Sequence, residues 1–183
     1  MGVDRECGGD TRELYQRIYE TEEWYGNAEI NRCPGVRLFP LYRDWLLGPV
    51  MDIGCGRGHT VEHLRRSGLE ADGIDQIDLA NGMLVGDITR PLDLEGRYRS
   101  ALCIDVIEHI DDEGVLRLFE NFKQCERQAF SIHNGESICN GEDLHINRKP
   151  FEEWRRIISE HFELVEEVPT SPEQMLYLTS RLG

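Results

Sequence analysis

The stretch Val50-Met51-Asp52-Ile53-Gly54-Cys55-Gly56-Arg57-Gly58 constrains this chain more than any other. Its first four residues predict a short buried strand. Glycines at 54, 56 and 58 then predict a turn into a helix over His59 to Ser67, where Val61 and Leu64 share a face and Gly68 ends the run. Glycine serves such a turn twice: it accepts φ > 0, and it lets the backbone approach a ligand where a Cβ would collide. Strand, glycine turn and helix N-terminus together make a nucleotide-type binding site. Dinucleotide-binding turns place a third glycine one position later, where this chain has His59. Asp52, inside the strand, suits a cationic ligand, whereas an acid facing a pyrophosphate would be repelled.

Asp52-Ile-Gly-Cys-Gly-Arg-Gly58 resembles motif I of the class I S-adenosylmethionine-dependent methyltransferases. The resemblance implies that Asp52 serves the cationic amino-acid end of S-adenosylmethionine, with Gly54, Cys55 and Gly56 lying against the cofactor. It continues in order. Ala71-Asp-Gly-Ile-Asp75 reads as a second strand whose terminal Asp75, with Gln76 beside it, stands where the family binds the ribose. Met83 to Ile88 resembles the third strand, with Asp87 and Ile88 at the adenine. Ala101 to His109, containing Asp105-Val-Ile-Glu108-His109, resembles the fourth-strand motif at the mouth of the substrate site, with Asp105 also facing the cofactor.

The 183 residues fit one domain with a sizeable core, and no apolar run approaches the ~20 residues that span a bilayer. The N-terminus lacks the basic and apolar regions of a signal peptide, so a soluble cytoplasmic protein is expected. Net charge is -15, from 35 acids and 20 bases, which opposes nonspecific nucleic-acid binding. Only Lys123 and Lys149 are lysines; a salt-adapted host and a GC-rich host would both give this pattern. The six cysteines show neither a Cys-x-x-Cys pair nor zinc-like spacing and are expected as reduced thiols.

Residues 1–47 are expected to form a helical lead-in and 48–183 the core. Asp10 to Tyr25 predicts a helix, with Asp10 as cap and Glu13 as its reciprocal partner. Seven of the fifteen aromatics precede residue 46, Tyr19 and Tyr25 among them. Two readings stand for them: a lid over cofactor and substrate, or ordinary packing of two helices on the sheet. Asn31 to Gly35 reads as a linker and Val36 to Leu47 as a helix stopped at Gly48-Pro49. The segment between Asp75 and Met83 is too short for a full crossover helix, a departure from the family. Asp111 and Asp112 cap a helix bearing Val115, Leu118, Phe119 and Phe122. Ala129 to Asn134 is the fifth strand, a loop follows over Gly135 to Lys149, and Pro150 opens a helix with Phe151, Trp154, Ile157 and Ile158. Phe162 to Val168 and Met175 to Thr179 close the sheet as an antiparallel pair. The expected fold is α/β: a Rossmann-like, seven-stranded, mostly parallel sheet with helices on both faces.

Ligands of such sheets bind beyond the carboxyl ends of the strands. The resemblance therefore implies a methyltransferase acting on an oxygen or nitrogen of a small-molecule acceptor, with Tyr19, Tyr25, His133, Asn134 and His145 at the substrate. Methyl transfer is an in-line displacement, so positioning and water exclusion carry much of it, and a base is needed only if the nucleophile must lose a proton. Glu108 and His109 are the base candidates, with Asp105 beside them. Asp105-x-x-Glu108-His109 followed by His145 also resembles the ligand set of metal-dependent members, including small-RNA 2′-O-methyltransferases, although Asp105 replaces a longer glutamate. The expectation is positioning helped by His109 without a metal. The alternatives are a metal-assisted RNA enzyme and a non-catalytic cofactor-binding module. His59, His63 and His161 are expected to be solvated, and Glu163, Glu166 and Glu167 to form an exposed strand face.

Overall fold

This computed structural model describes residues 10–21, 32–79, 82–139 and 141–183. The helices are α1 (Asp10–Thr21), α2 (Pro34–Tyr42), α3 (His59–Arg66), α4 (Asp112–Phe122) and α5 (Phe151–His161). The strands are β1 (Val50–Ile53), β2 (Ala71–Asp75), β3 (Leu84–Val85), β4 (Ser100–Ile104), β5 (Arg127–His133), β6 (Ile138–Cys139), β7 (Glu142–Asp143), β8 (Phe162–Ser171) and β9 (Gln174–Arg181). Seven of them form one sheet in the order β3-β2-β1-β4-β5-β9-β8. It is parallel from β3 to β5, and β9 runs antiparallel to both β5 and β8. The expected α/β fold is present. Because the chain steps outward from β1 to β3 and then returns to β4, a crevice opens beyond the carboxyl ends of β1 and β4.

Period-two alternation divides the core into two faces. Met51, Ile53, Ala101, Cys103, Phe130, Ile132 and Tyr177 point to one side, against Leu118, Phe119 and Phe122 of α4 and Trp154 and Ile158 of α5. Val50, Leu102, Ala129, Leu176 and Leu178 point to the other, against Leu38, Phe39 and Tyr42 of α2 and Val61 and Leu64 of α3. The loop after β3 is stitched to α4 by buried Asn121, which donates to the carbonyls of Ile88 and Arg90 and accepts from the Leu92 amide, all at 2.9 Å.

Several boundaries differ from expectation. The helix α2 begins at Pro34, inside the expected linker, because proline suits a first turn, and it ends at Tyr42 rather than Leu47. The third strand keeps only Leu84–Val85: Asp87 turns the chain out of the sheet by accepting from the Thr89 amide and hydroxyl. The loop Gly135 to Lys149 contains the β6-β7 hairpin. Between Asp75 and Met83 no helix occurs among the described residues. Two of the histidines expected in solvent pack instead: His63 stands edge-on to Phe39 at 4.6 Å, and His161 meets Phe119 at 5.4 Å. Glu167 is withdrawn from the exposed face, 16% accessible, and pairs with Arg155 at 2.6 Å. The five described cysteines are free thiols. No helix among the described residues is long and apolar enough to cross a membrane.

Candidate active site

The strand β1 delivers Asp52 and the glycine turn to the crevice. Gly54, Gly56 and Gly58 have φ of 79°, 52° and 74°, which side chains rarely adopt. At Gly54 the neighbour that excludes a Cβ is protein: an added carbon would stand 2.5 Å from the Val106 side chain. At Gly56 it would meet only the Tyr19 hydroxyl, 3.1 Å away, so α1 lies over the turn. The Asp75 carboxylate accepts the Gly56 amide at 2.8 Å and the Ile77 amide at 3.0 Å, holding turn and β2 end together.

A cavity of about 550 Å³ occupies the crevice. It is lined by Asp52, Gly54, Cys55, Gly56, Asp105, His109, His133, His145 and Tyr19, all expected at the site. Asp75, Gln76, Asp87, Ile88, Glu108 and Asn134 do not line it. Asp87 and Ile88 lie in the loop beyond β3, where Asp87 accepts from Thr89, and Asn134 is tied to the Lys149 carbonyl at 2.5 Å. Tyr25 lies outside the described residues, as does the side chain of Asp10. The sequence reading missed Arg32, Arg37, Arg57, Thr60, Ser171 and Gln174, which also line the cavity. Arg57 stood inside the recognised motif; the others reach the site from separate elements that no local pattern connects.

Asp52 is only 3% exposed, yet its carboxylate has no hydrogen-bond or ion-pair partner among the described residues. Burial, reinforced by nearby Asp75, pushes its pKa up to about 7. Asp105, at φ 54°, is engaged by protein: it accepts from Ser131 Oγ at 2.5 Å and from Gln174 Nε2 on both oxygens, at 2.7 and 2.9 Å. Glu108 is wholly buried. Its Oε1 accepts the His133 amide at 3.0 Å, while Oε2 has no partner among the described residues. Burial and the Asp105 charge hold its pKa well above the usual carboxylate range.

His109 Nδ1 lies 3.0 Å from the Leu144 carbonyl and 2.8 Å from the Tyr15 hydroxyl. A carbonyl only accepts, so Nδ1 carries the proton and Nε2 keeps its lone pair. His145 repeats this arrangement, with Nδ1 at 2.5 Å from the Gly135 carbonyl. Burial, with the His145 ring 4.6 Å away, lowers the His109 pKa to about 4. Glu108, His109 and His145 each offer one ligand atom, and the three atoms lie within 4.8 Å of one another. Above them, Tyr15 and Ile18 of α1 pack on Ile77, Cys139 and Leu144. A groove of about 650 Å³ at the amino ends of β1 and β2 is a weaker candidate, because its Asp72 is already paired with Arg65 and Tyr98.

A methyltransferase-domain family matches residues 29–166, three quarters of the chain. The chain belongs to this family. It is an S-adenosylmethionine-dependent methyltransferase, and the unpartnered acid beside the glycine turn fits that cofactor's ammonium. The fold of the methyltransferase is shared with solved structures of low identity. One is 1,6-didemethyltoxoflavin-N1-methyltransferase from Burkholderia thailandensis, solved with 1,6-didemethyltoxoflavin and S-adenosylhomocysteine (15% identity, TM-score 0.70, 98% of this chain and 92% of that one). Another is magnesium protoporphyrin IX methyltransferase from Synechocystis PCC 6803 with bound S-adenosylmethionine (16%, 0.67, 97% and 100%). A third is an S-adenosylmethionine-dependent methyltransferase from Archaeoglobus fulgidus (16%, 0.65, 88% and 99%). No curated protein sequence matches the methyltransferase significantly.

Proposed function

We propose that the methyltransferase moves a methyl group to an oxygen or nitrogen of a small-molecule acceptor bound in the β1/β4 crevice. The observation that carries this is Asp52: a buried carboxylate that faces the cavity with no partner among the described residues calls for a cation, and the cofactor's amino-acid end supplies one. In this reading Gly54, Cys55 and Gly56 lie along the cofactor, with Asp75 and Gln76 at the ribose and Asp87 and Ile88 at the adenine edge. The helix α1 serves as a lid in this reading, supported by its packing across the hairpin and by Tyr19 over the turn. A cavity of 550 Å³ favours a small acceptor, as does the net charge of -15; nucleic acid is disfavoured.

The bound cofactor supplies a methyl group activated by its sulfonium. The chain positions the nucleophile opposite it and excludes water. His133 and His145 line the acceptor side, and His109 stands there as a neutral imidazole with a free Nε2 lone pair. With its pKa lowered to about 4 it is a weak proton acceptor, best matched to orienting a hydroxyl or amine and taking its proton as the bond forms.

A second reading rests on the unpartnered Glu108 Oε2. A buried carboxylate oxygen needs a proton or a cation, and His109 and His145 each bring a ring nitrogen within 4.8 Å of a Glu108 oxygen. One carboxylate and two imidazoles suit Zn²⁺ or Mn²⁺, and Nδ1–H groups anchored on carbonyls are the usual support of metal-binding histidines. A spread of 4.8 Å would have to close slightly around bonds of ~2.1 Å. Glu108, His109 and His145 would hold the ion, which would acidify the acceptor's hydroxyl. Asp105, held by Ser131 and Gln174, stands outside this set.

Single-turnover assays with an active acceptor separate the two. Under the first reading His109→Ala lowers the rate by ~10²–10⁴-fold with cofactor affinity intact, and a chelator does nothing. Activity abolished by chelator and restored by Mn²⁺ or Zn²⁺, with His145→Ala matching His109→Ala, assigns the metal instead. Cofactor binding without turnover across a broad acceptor panel would contradict both.

A further inference from the structure

The cavity gathers arginines that no described carboxylate neutralises. With 35 acids against 20 bases, carboxylates are abundant, and ten of the described arginines lie in ion pairs. Arg32, Arg37 and Arg57 are not among them, although all three line the cavity. Arg57 stacks over the Tyr19 ring at 5.6 Å, and its Nε is buried without a hydrogen-bond partner among the described residues. Arg32 and Arg37 flank the start of α2, where Cys33 at the N-cap makes no side-chain bond to the first-turn amides.

The acids of the cavity do not answer these three charges. Asp105 is engaged by Ser131 and Gln174, Asp52 is reserved for the cofactor's ammonium, and Glu136 forms no ion pair with any of the three. As formal charges, with the histidines neutral, the lining of three arginines and three acids sums to zero, but none of these arginines is paired with a described acid. The cofactor, with ammonium and sulfonium against one carboxylate, then adds one net positive charge to a site inside an acidic protein. Arg57, on the glycine turn beside Asp52, is placed to take the cofactor's carboxylate.

Arg32 and Arg37 remain. We infer that they form an anion subsite, and that the methyl acceptor carries a carboxylate or phosphate seated between them and the N-terminal turn of α2. This rests on the methyltransferase reading and names its substrate class. A guanidinium recognises either anion in a forked geometry, and the helix start, without a side-chain cap, favours negative charge.

Calorimetry on the protein saturated with S-adenosylhomocysteine tests the inference. The probes are benzoate, benzamide as its neutral match, inorganic phosphate and a short single-stranded RNA. Benzoate or phosphate is expected to bind and benzamide to bind at least about tenfold more weakly. The double variant Arg32→Gln/Arg37→Gln, both at exposed positions, is expected to lose anion affinity by about 10- to 100-fold, the worth of a charge-assisted bond. Its S-adenosylhomocysteine affinity should stay within about threefold of wild type, since Arg57 and Asp52 remain. Equal binding of benzoate and benzamide, no anion binding, or undiminished anion binding by the double variant overturns the inference. Tight, salt-sensitive binding of the RNA alone would assign the arginines to a nucleic-acid backbone and overturn the small-molecule acceptor. Failure of S-adenosylhomocysteine itself to bind wild type is a separate result and counts against the cofactor site.

Discussion

Replacing Asp52 with asparagine should stabilise the empty protein in one pH range while weakening its hold on the cofactor. The carboxylate is 3% exposed with no partner among the described residues, and its pKa rises from 3.8 to about 7 on folding. The folded state therefore holds the proton more tightly than the unfolded chain. The stability that this proton confers is fully present below about pH 4, is lost as pH rises toward about 7, and is gone above it. A tenfold change in proton affinity is worth about 1.4 kcal/mol, so ionising Asp52 in the empty site costs up to about 4 kcal/mol. The asparagine side chain of the variant cannot ionise. The stability difference between wild type and Asp52→Asn, from urea unfolding, should change by that amount between about pH 4 and about pH 8. The variant gains on wild type as pH rises. Comparing the two proteins across pH cancels the asparagine's own packing cost, which is the same at each pH. For the cofactor the sign reverses: its ammonium favours ionised Asp52, so wild-type affinity should fall as pH drops below about 7, toward the level of the uncharged variant, and level off above it. Asp52→Asn should bind S-adenosylhomocysteine about 10- to 100-fold more weakly with little pH dependence. A stability difference that does not move with pH would show that Asp52 is not buried unpaired, and the reasoning would fail.

Asn121→Ala should destabilise by about 1–3 kcal/mol, read by urea unfolding, because it leaves the Ile88 and Arg90 carbonyls and the Leu92 amide without their partner. The same variant should loosen the loop beyond β3, seen as faster amide exchange at residues 88–92. Gly54→Ala should cost about 1–3 kcal/mol from strain at φ 79° and the 2.5 Å approach to Val106. Val106→Ala added to it should recover part of that loss; no recovery would mean that the backbone conformation alone demands glycine.

What the sequence displayed was local. Strand, glycine turn and helix follow one another within Val50 to Arg66, so their residues report the structure they form, down to the positive φ at Gly54, Gly56 and Gly58. The buried helix faces were legible too: Val61 with Leu64, and Val115, Leu118, Phe119 and Phe122, recur at helical spacing, which needs no knowledge of partners. The site's other half was not. Gln174 reaches Asp105 from β9, 69 residues away, and Arg32 and Arg37 arrive with a helix whose proline start looked like a linker. Asp105 looked like a free catalytic acid because its partners lie on strands that only folding brings alongside. Glu108 was recognised as a candidate, but nothing in its neighbours indicated a wholly buried carboxyl with one oxygen unsatisfied. The short β3 reflects competition: Asp87 satisfies Thr89 and turns the chain before the edge strand can extend.

Calorimetric titration of the full chain with S-adenosylhomocysteine at about pH 8 tests the central claim most directly, since everything at the crevice follows from a cofactor whose cation meets Asp52. One equivalent should bind with a Kd at or below about 100 μM, and affinity should drop as pH is lowered through about 7. Absence of binding by either S-adenosylhomocysteine or S-adenosylmethionine in a folded protein would contradict it.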